Sequence, residues 1–176
     1  IYTRGHPLDY DEWRQMGCEG WSYEDVLPYF RKAEDNDTYG GRYHGQGGPL
    51  GVSKPAAPLP ICEAYFKAAE ALGIPFNEDV AGEVQEGAAY YQLTQRNARR
   101  SSAAMAYLHP NRRRANLTVT LTAQVGRLIV ERGAATGVEM PHGTRVIADG
   151  EVILTCRPTG SPRLLHPRAI FPAEQT

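Results

Sequence analysis

Lysine is scarce in this chain, occurring only at positions 32, 54 and 67, so nearly all of the positive charge is arginine. The 19 basic and 20 acidic side chains leave a formal net charge of −1, which gives no long-range pull toward nucleic acid or an anionic surface. Long apolar runs are missing as well. Nothing approaches the ~18 consecutive apolar residues of a membrane span, and the start carries no basic-then-apolar leader. The expectation is a soluble, cytoplasmic chain without a transmembrane segment, with membrane association of an intact protein left open. Cysteine is limited to Cys18, Cys62 and Cys156, an odd and widely spaced set without C-x-x-C. That excludes a disulfide framework or zinc knuckle and suggests small core residues. His6, His44, His109, His142 and His166 form no H-x-H or H-E-x-x-H pair, so no metal site is named.

What is present is ordinary globular material: 41% hydrophobic and 22% charged residues over 176 positions. A domain of this size buries roughly 70% of the surface of its unfolded chain. The chain begins at Ile1 in the middle of a patterned segment, as an internal piece of a longer protein would.

Asp9 to Met16 is expected to be a short helix with Tyr10 and Trp13 on one face and Gly17 as its stop. Ser22 with Asp25 three residues on makes a capping-box variant for a second helix, which Pro28 should break. Tyr39 to Gly48 is a glycine-rich loop, followed by a strand at Leu50 to Ser53. Ile61, Tyr65, Ala68 and Leu72 recur at helical spacing, and Gly73 ends that helix. Gly87 to Thr94 reads as extended, and Ser101 or Ser102 as the cap of a helix to Leu108 that Pro110 terminates. The period then changes. Leu117, Val119 and Leu121 alternate with threonines, and strand-like runs follow at Arg127–Glu131, Thr136–Met140 and Glu151–Cys156. Residues 1–80 are thus helix- and loop-rich, and 81–156 mostly strands.

Most candidate chemistry has a plainer reading. The arginines at 96, 99, 100 and 112–114 lack interleaved stacking aromatics and form a solvated surface rather than a nucleic-acid patch. Asp35 and Asp37 lack the rest of a calcium loop and read as turn residues. Ser161 lies in G-S-P rather than G-x-S-x-G. The glycine loop at 40–48 opens no helix, as a phosphate-binding turn must.

Short motifs take the reading further. Tyr2-Thr3-Arg4-Gly5-His6, Asp9-Tyr10, Trp13, Gly20-Trp21-Ser22-Tyr23 and Leu27-Pro28-Tyr29-Phe30 occur in order. Gly47-Gly48-Pro49-Leu50, Gln85-Glu86-Gly87, Arg99-Arg100-Ser101-Ser102-Ala103, Asn116-Leu117, Gly137-Val138-Glu139 and Glu151-Val152-Ile153-Leu154 follow. The series resembles the glucose-methanol-choline oxidoreductases in that family's own order, in the style of choline dehydrogenases and bacterial alcohol dehydrogenases.

The resemblance implies an α+β fold: part of a Rossmann-like FAD-binding domain joined to part of a substrate-binding domain with a mixed or antiparallel sheet. It also implies FAD as cofactor, a small-molecule alcohol such as choline as substrate, and no nucleic-acid partner. The pyrophosphate turn G-x-G-x-x-G and the catalytic histidine of the family have no counterpart in residues 1–176, so no catalytic residue is assigned. The expectation is an incomplete region of the enzyme, the alternative a truncated, non-catalytic remnant. Ala123-Gln124-Val125 resembles the strand end where a valine main chain meets adenine, which suits a backbone donor and acceptor pair. Ile1 and Tyr2 follow the family's flavin-contacting segment and are the other two expected cofactor contacts. Tyr90 to Arg96 is expected in the sheet that covers the flavin.

Two departures from the family pattern stand out. Ala98 occupies a position usually held by glycine. Residues 157–176 resemble a degenerate second family signature, in which Arg157, Arg168, Ala169 and Phe171 replace small residues. Such positions favour glycine because the backbone is unusual or close to cofactor. Residues from 156 onward are therefore expected to be displaced from the cofactor path.

Overall fold

The computed structural model describes residues 1–165. Contacts divide the chain into two compact units, Ile1–Leu117 and Thr118–Thr176. The first opens with helix α1 (Pro7–Gln15) and helix α2 (Tyr23–Ala33), each begun by a capping box: His6 with Asp9, and Ser22 with Asp25. These caps satisfy amide donors that the first helical turn leaves free. Tyr10 lies between the two helices, edge-on to Trp13 at 5.4 Å and Phe30 at 5.9 Å.

The break expected at Pro28 does not occur, and α2 runs through it. Pro28 is exposed, so the one ladder bond that proline removes is lost on the solvent side, while buried Tyr23 and Leu27 hold the opposite face. Strand β1 (Glu34–Asn36) follows α2 without a gap and pairs in parallel with β2 (Leu50–Val52). The glycine loop between them is pressed against the end of α2, because a Cβ at Gly45 would fall on the Arg31 carbonyl. Gly45 and Gly48 thus serve close packing, while Gly41 and Gly47 supply positive φ. Asp35, expected in a turn, lies in β1 instead, where its carboxylate accepts from the Gly47 amide at 2.7 Å and pairs with Arg96 at 2.6 Å.

Helix α3 (Ile61–Ala71) ends at Gly73, whose φ of +80° suits glycine. The apolar stripe of Ile61, Tyr65 and Leu72 stays exposed. Helix α3 instead packs through Ala69 and Phe66, the latter meeting Phe76 at 4.9 Å and Tyr90 at 4.7 Å. Edge-to-face aromatic contact at these distances outweighs what the aliphatic stripe could gain without a facing partner.

Residues 88–94 run extended through single bridges, Tyr2 to Gln92 and Ser53 to Leu93. Strands β3 (Gln95–Arg96) and β4 (Arg99–Arg100) then form a minimal hairpin. Its loop, Asn97-Ala98, has φ of +51° and +58°, the left-handed geometry of a two-residue hairpin turn. Beyond it, Ser102 Oγ accepts from the Met105 amide at 3.3 Å, as expected of a cap. The helix does not stop before Pro110: a π turn at Ala104–Leu108 passes directly into α4 (His109–Asn111). A proline lacks the donor, and the widened turn displaces the carbonyl its ring would strike.

In the second unit, β5 (Arg127–Glu131), β6 (Ala134–Glu139) and β7 (Arg145–Ile147) form an antiparallel meander with Leu128 and Ile129 buried. Two expected strands are absent. Leu117–Thr122, with its alternation, and the strand-like run Glu151–Cys156 have no ladder partner among the described residues, and a strand exists only by pairing. Helix α5 (Arg157–Leu165) follows. Cysteine is less buried than expected: Cys18 and Cys156 are exposed and Cys62 half-buried. None of the described helices is long and apolar enough to cross a membrane.

Candidate functional site

The most heavily built polar feature of the first unit joins five separate segments. Arg4 donates from Nη2 to Glu34 Oε2 at 2.7 Å and from Nη1 to the Tyr43 carbonyl at 2.6 Å. The Gly45 amide also donates to Glu34 Oε2, at 3.0 Å. The other carboxylate oxygen, Oε1, lies 2.9 Å from His44 Nδ1 and 2.7 Å from Asn36 Nδ2. On its far side, His44 Nε2 meets Asp79 Oδ2 at 2.8 Å. Asn36 and Gln92 close a reciprocal amide pair, at 3.0 and 3.2 Å.

Proton counting fixes the roles. Asn36 Nδ2 has three near neighbours, Glu34, Gln92 and His44 Nδ1 at 3.1 Å, but only two hydrogens. The carboxylate and the amide oxygen take both, and His44 Nδ1 donates to Glu34. With Nε2 donating to Asp79, His44 is an imidazolium. Burial works against that charge, but the bonds to Asp79 and Glu34 outweigh it and hold His44 up at about 9. Glu34 and Asp79 titrate below their ordinary ranges: burial opposes this, and the bond to His44 overcomes it. Two buried cations thus face two carboxylates, and the net charge is balanced.

This cluster holds one of the expected contact residues. The Tyr2 amide donates to the Gln92 carbonyl at 2.7 Å, and the Arg4 guanidinium stands over the Tyr2 ring with Cζ 5.9 Å from its centroid. Tyr2 is half-buried, and burial raises its phenol above the ordinary value, with Arg4 pulling the other way. Ile1, next to it, is 76% exposed. Val125 lies in the second unit, half-buried, two residues ahead of β5. The Gly126 amide donates to the Glu139 carbonyl at 2.9 Å, whereas the Val125 amide and carbonyl have no hydrogen-bond partner among the described residues.

Arg4, Glu34, Asn36, His44, Asp79 and Gln92 escape sequence reading, because they are drawn from positions up to 88 apart without shared period or spacing. The tight Tyr43-His44-Gly45 triplet is their one local hint, since a glycine after a polar residue often marks close backbone approach. Of the second signature, Arg157 is exposed and begins α5 with a φ of +67°. Arg168, Ala169 and Phe171 lie outside the described residues.

The fold has close counterparts. A pyridoxine 4-oxidase from Mesorbium loti superposes with a TM-score of 0.77 at 33% identity, covering 93% of this chain and 33% of that one. An FAD-dependent oxidoreductase from Chaetomium thermophilum gives 0.83 at 28% identity, covering 94% and 32%. The mixed helix-and-sheet arrangement is therefore that of the N-terminal FAD-binding region of such flavoenzymes. In sequence, human mitochondrial choline dehydrogenase is 40% identical over 168 residues, 94% of this chain and 28% of that protein. The oxygen-dependent choline dehydrogenase of Sinorhizobium fredii is 38% identical over 176 residues, 98% and 32%. The family model described as GMC oxidoreductase matches residues 1–175, and the chain belongs to that family. It spans about a third of the length of the curated relatives it matches.

Proposed function

We propose that this chain is part of an FAD-dependent oxidoreductase acting on the CH–OH group of a small alcohol, choline or another primary alcohol. The observation that carries the reading is the family match across residues 1–175, joined to choline dehydrogenases at about 40% identity. When bound, FAD would supply the hydride acceptor.

Within this chain the fit to the cofactor is partial. Val125 offers a main-chain donor and acceptor side by side, both without partners among the described residues, as an adenine edge requires. The Tyr2 amide is already committed to Gln92, so Tyr2 would meet the flavin edge through its ring, with exposed Ile1 beside it. Tyr90 to Arg96, paired to Tyr2 through Gln92, would belong to the wall that keeps water from that edge.

Proton transfer is assigned elsewhere. His44 has both nitrogens committed to carboxylates, His6 Nδ1 caps α1 by accepting from Leu8 at 3.2 Å, and His142 Nδ1 lies 3.4 Å from the Thr144 amide. As the family resemblance implies, the catalytic base and the pyrophosphate turn would come from outside residues 1–176. The test is flavin content: the full-length protein should purify with FAD near one per chain, and residues 1–176 alone with none. Stoichiometric FAD on residues 1–176 would overturn this division of labour.

A further inference from the structure

We propose that Asp79, His44 and Glu34 form a positioning relay that sets the place of Tyr2, so that His44 acts on the flavin-facing segment without touching it. The inference rests on the reading that Tyr2 faces the flavin.

The geometry supplies two routes. One runs through charge: Asp79 Oδ2 to His44 Nε2 at 2.8 Å, His44 Nδ1 to Glu34 Oε1 at 2.9 Å, Glu34 Oε2 to Arg4 at 2.7 Å, and the Arg4 guanidinium over the Tyr2 ring. The other runs through neutral amides: Glu34 Oε1 to Asn36, Asn36 to Gln92, and the Gln92 carbonyl to the Tyr2 amide. Both pass through Glu34 and both end on Tyr2, one at its ring and one at its backbone. A displacement at His44 therefore cannot be absorbed by one route while the other stays fixed.

Asp79 is the relay's outer end. Its side chain is 26% exposed where those of His44 and Glu34 are 2% and 0%. It sits on a loop held at its base by the Phe76 to Ala88 bridge and tied down by Tyr39 Oη donating to the Glu78 carbonyl at 2.6 Å. Gln85 Nε2 on the same loop donates to the Arg4 carbonyl at 2.9 Å. The charged and titratable groups around His44 are thus Glu34 from β1, Asp79 from the loop, and Arg4 behind Glu34. The Tyr39 ring packs at 5.3 Å from the His44 ring with Lys54 Nζ 4.8 Å from the Tyr39 centroid, and Arg31 and Lys32 share the open cavity beside the glycine loop. Among the described residues only Glu34 and Asp79 accept from the imidazole, so removing one proton from His44 leaves one of its two nitrogens without a donor and takes the positive charge away from both carboxylates.

The experiment is NMR on the full-length protein with labelled histidine, tyrosine and leucine, followed from pH 6 to pH 10. In the native sequence the Tyr2 ring signals should move with the same midpoint as His44, near 9, while the Leu93 amide signal should not. In Asp79→Asn the midpoints of His44 and Tyr2 should fall together, and the Tyr2 amide should exchange with solvent at least tenfold faster. The Leu93 amide, bonded to Ser53, should keep its protection. Tyr2 signals indifferent to the His44 titration would overturn the relay, as would equal changes at Leu93. If Asp79→Asn does not fold, the native titration decides alone. In the full-length flavoprotein the same substitution should shift the flavin absorbance maximum. A relay seen at Tyr2 with an unmoved flavin spectrum would sustain the coupling and refute Tyr2 as a flavin contact.

Discussion

Arg4 and Glu34 meet at 2.7 Å with side chains 2% and 0% exposed, which makes their pairing a dependence rather than a surplus. Two charges taken out of water gain little against a well-packed apolar pair, but either one left alone is costly. Glu34→Gln keeps the shape and removes the charge, leaving Arg4 without its carboxylate and His44 with Asp79 alone. It should destabilise the fold by about 3–5 kcal/mol, read as a lower urea midpoint. A loss below about 1 kcal/mol would show that solvent reaches the cluster.

Stability should also depend on pH with a definite sign. His44 titrates at about 9 in the fold against 6.5 for an ordinary imidazole, so between those pH values the native state holds the extra proton. Its contribution is complete below 6.5 and is lost as pH rises to about 9. The loss should be on the order of 2–3 kcal/mol. Glu34 and Asp79 shift downward, so their contribution is present above their ordinary values and lost as acid protonates them. Urea unfolding should therefore give greatest stability between about 4.5 and 6.5 and a fall toward 9. A flat profile from 6.5 to 9 would contradict the imidazolium assignment.

The hairpin turn at Asn97-Ala98 offers a gain. Asparagine tolerates a φ of +51°, but alanine at +58° holds its Cβ against the following carbonyl. Ala98→Gly relieves that strain while adding freedom to the unfolded chain, and the net should be a stabilisation of about 0.5–1 kcal/mol. A lower melting temperature in the variant would contradict it.

At Val125 the expected contact is through the main chain. In the full-length protein Val125→Pro removes the amide and should cost FAD affinity at least tenfold, whereas Val125→Ile keeps it and should change affinity less than threefold. Equal FAD retention in the two variants would show that the contact does not use that amide.

Local chemistry was legible where neighbours in sequence decide the outcome. The capping residues Ser22 and Asp25, Gly73 at the end of α3, and the strand-like runs of β5 and β6 all act within a few positions. Pro28 and Pro110 were misread because their cost is set by where the lost bond faces and by the π turn, both tertiary matters. Leu117–Thr122 has a strand's pattern, but pairing needs a second strand that the pattern itself cannot supply. The His44 cluster was the least legible. Its members show their meaning only when Arg4, β1, the glycine loop and the Asp79 loop come within 3 Å of one another.

Flavin reduction by alcohol decides whether the family chemistry operates in the full-length protein. Full-length protein with bound FAD, kept free of oxygen, should lose its oxidised-flavin absorbance when choline or another primary alcohol is added, one flavin reduced per alcohol consumed. Loaded protein whose flavin stays oxidised across a panel of choline, primary alcohols and hydroxymethyl compounds would contradict the account.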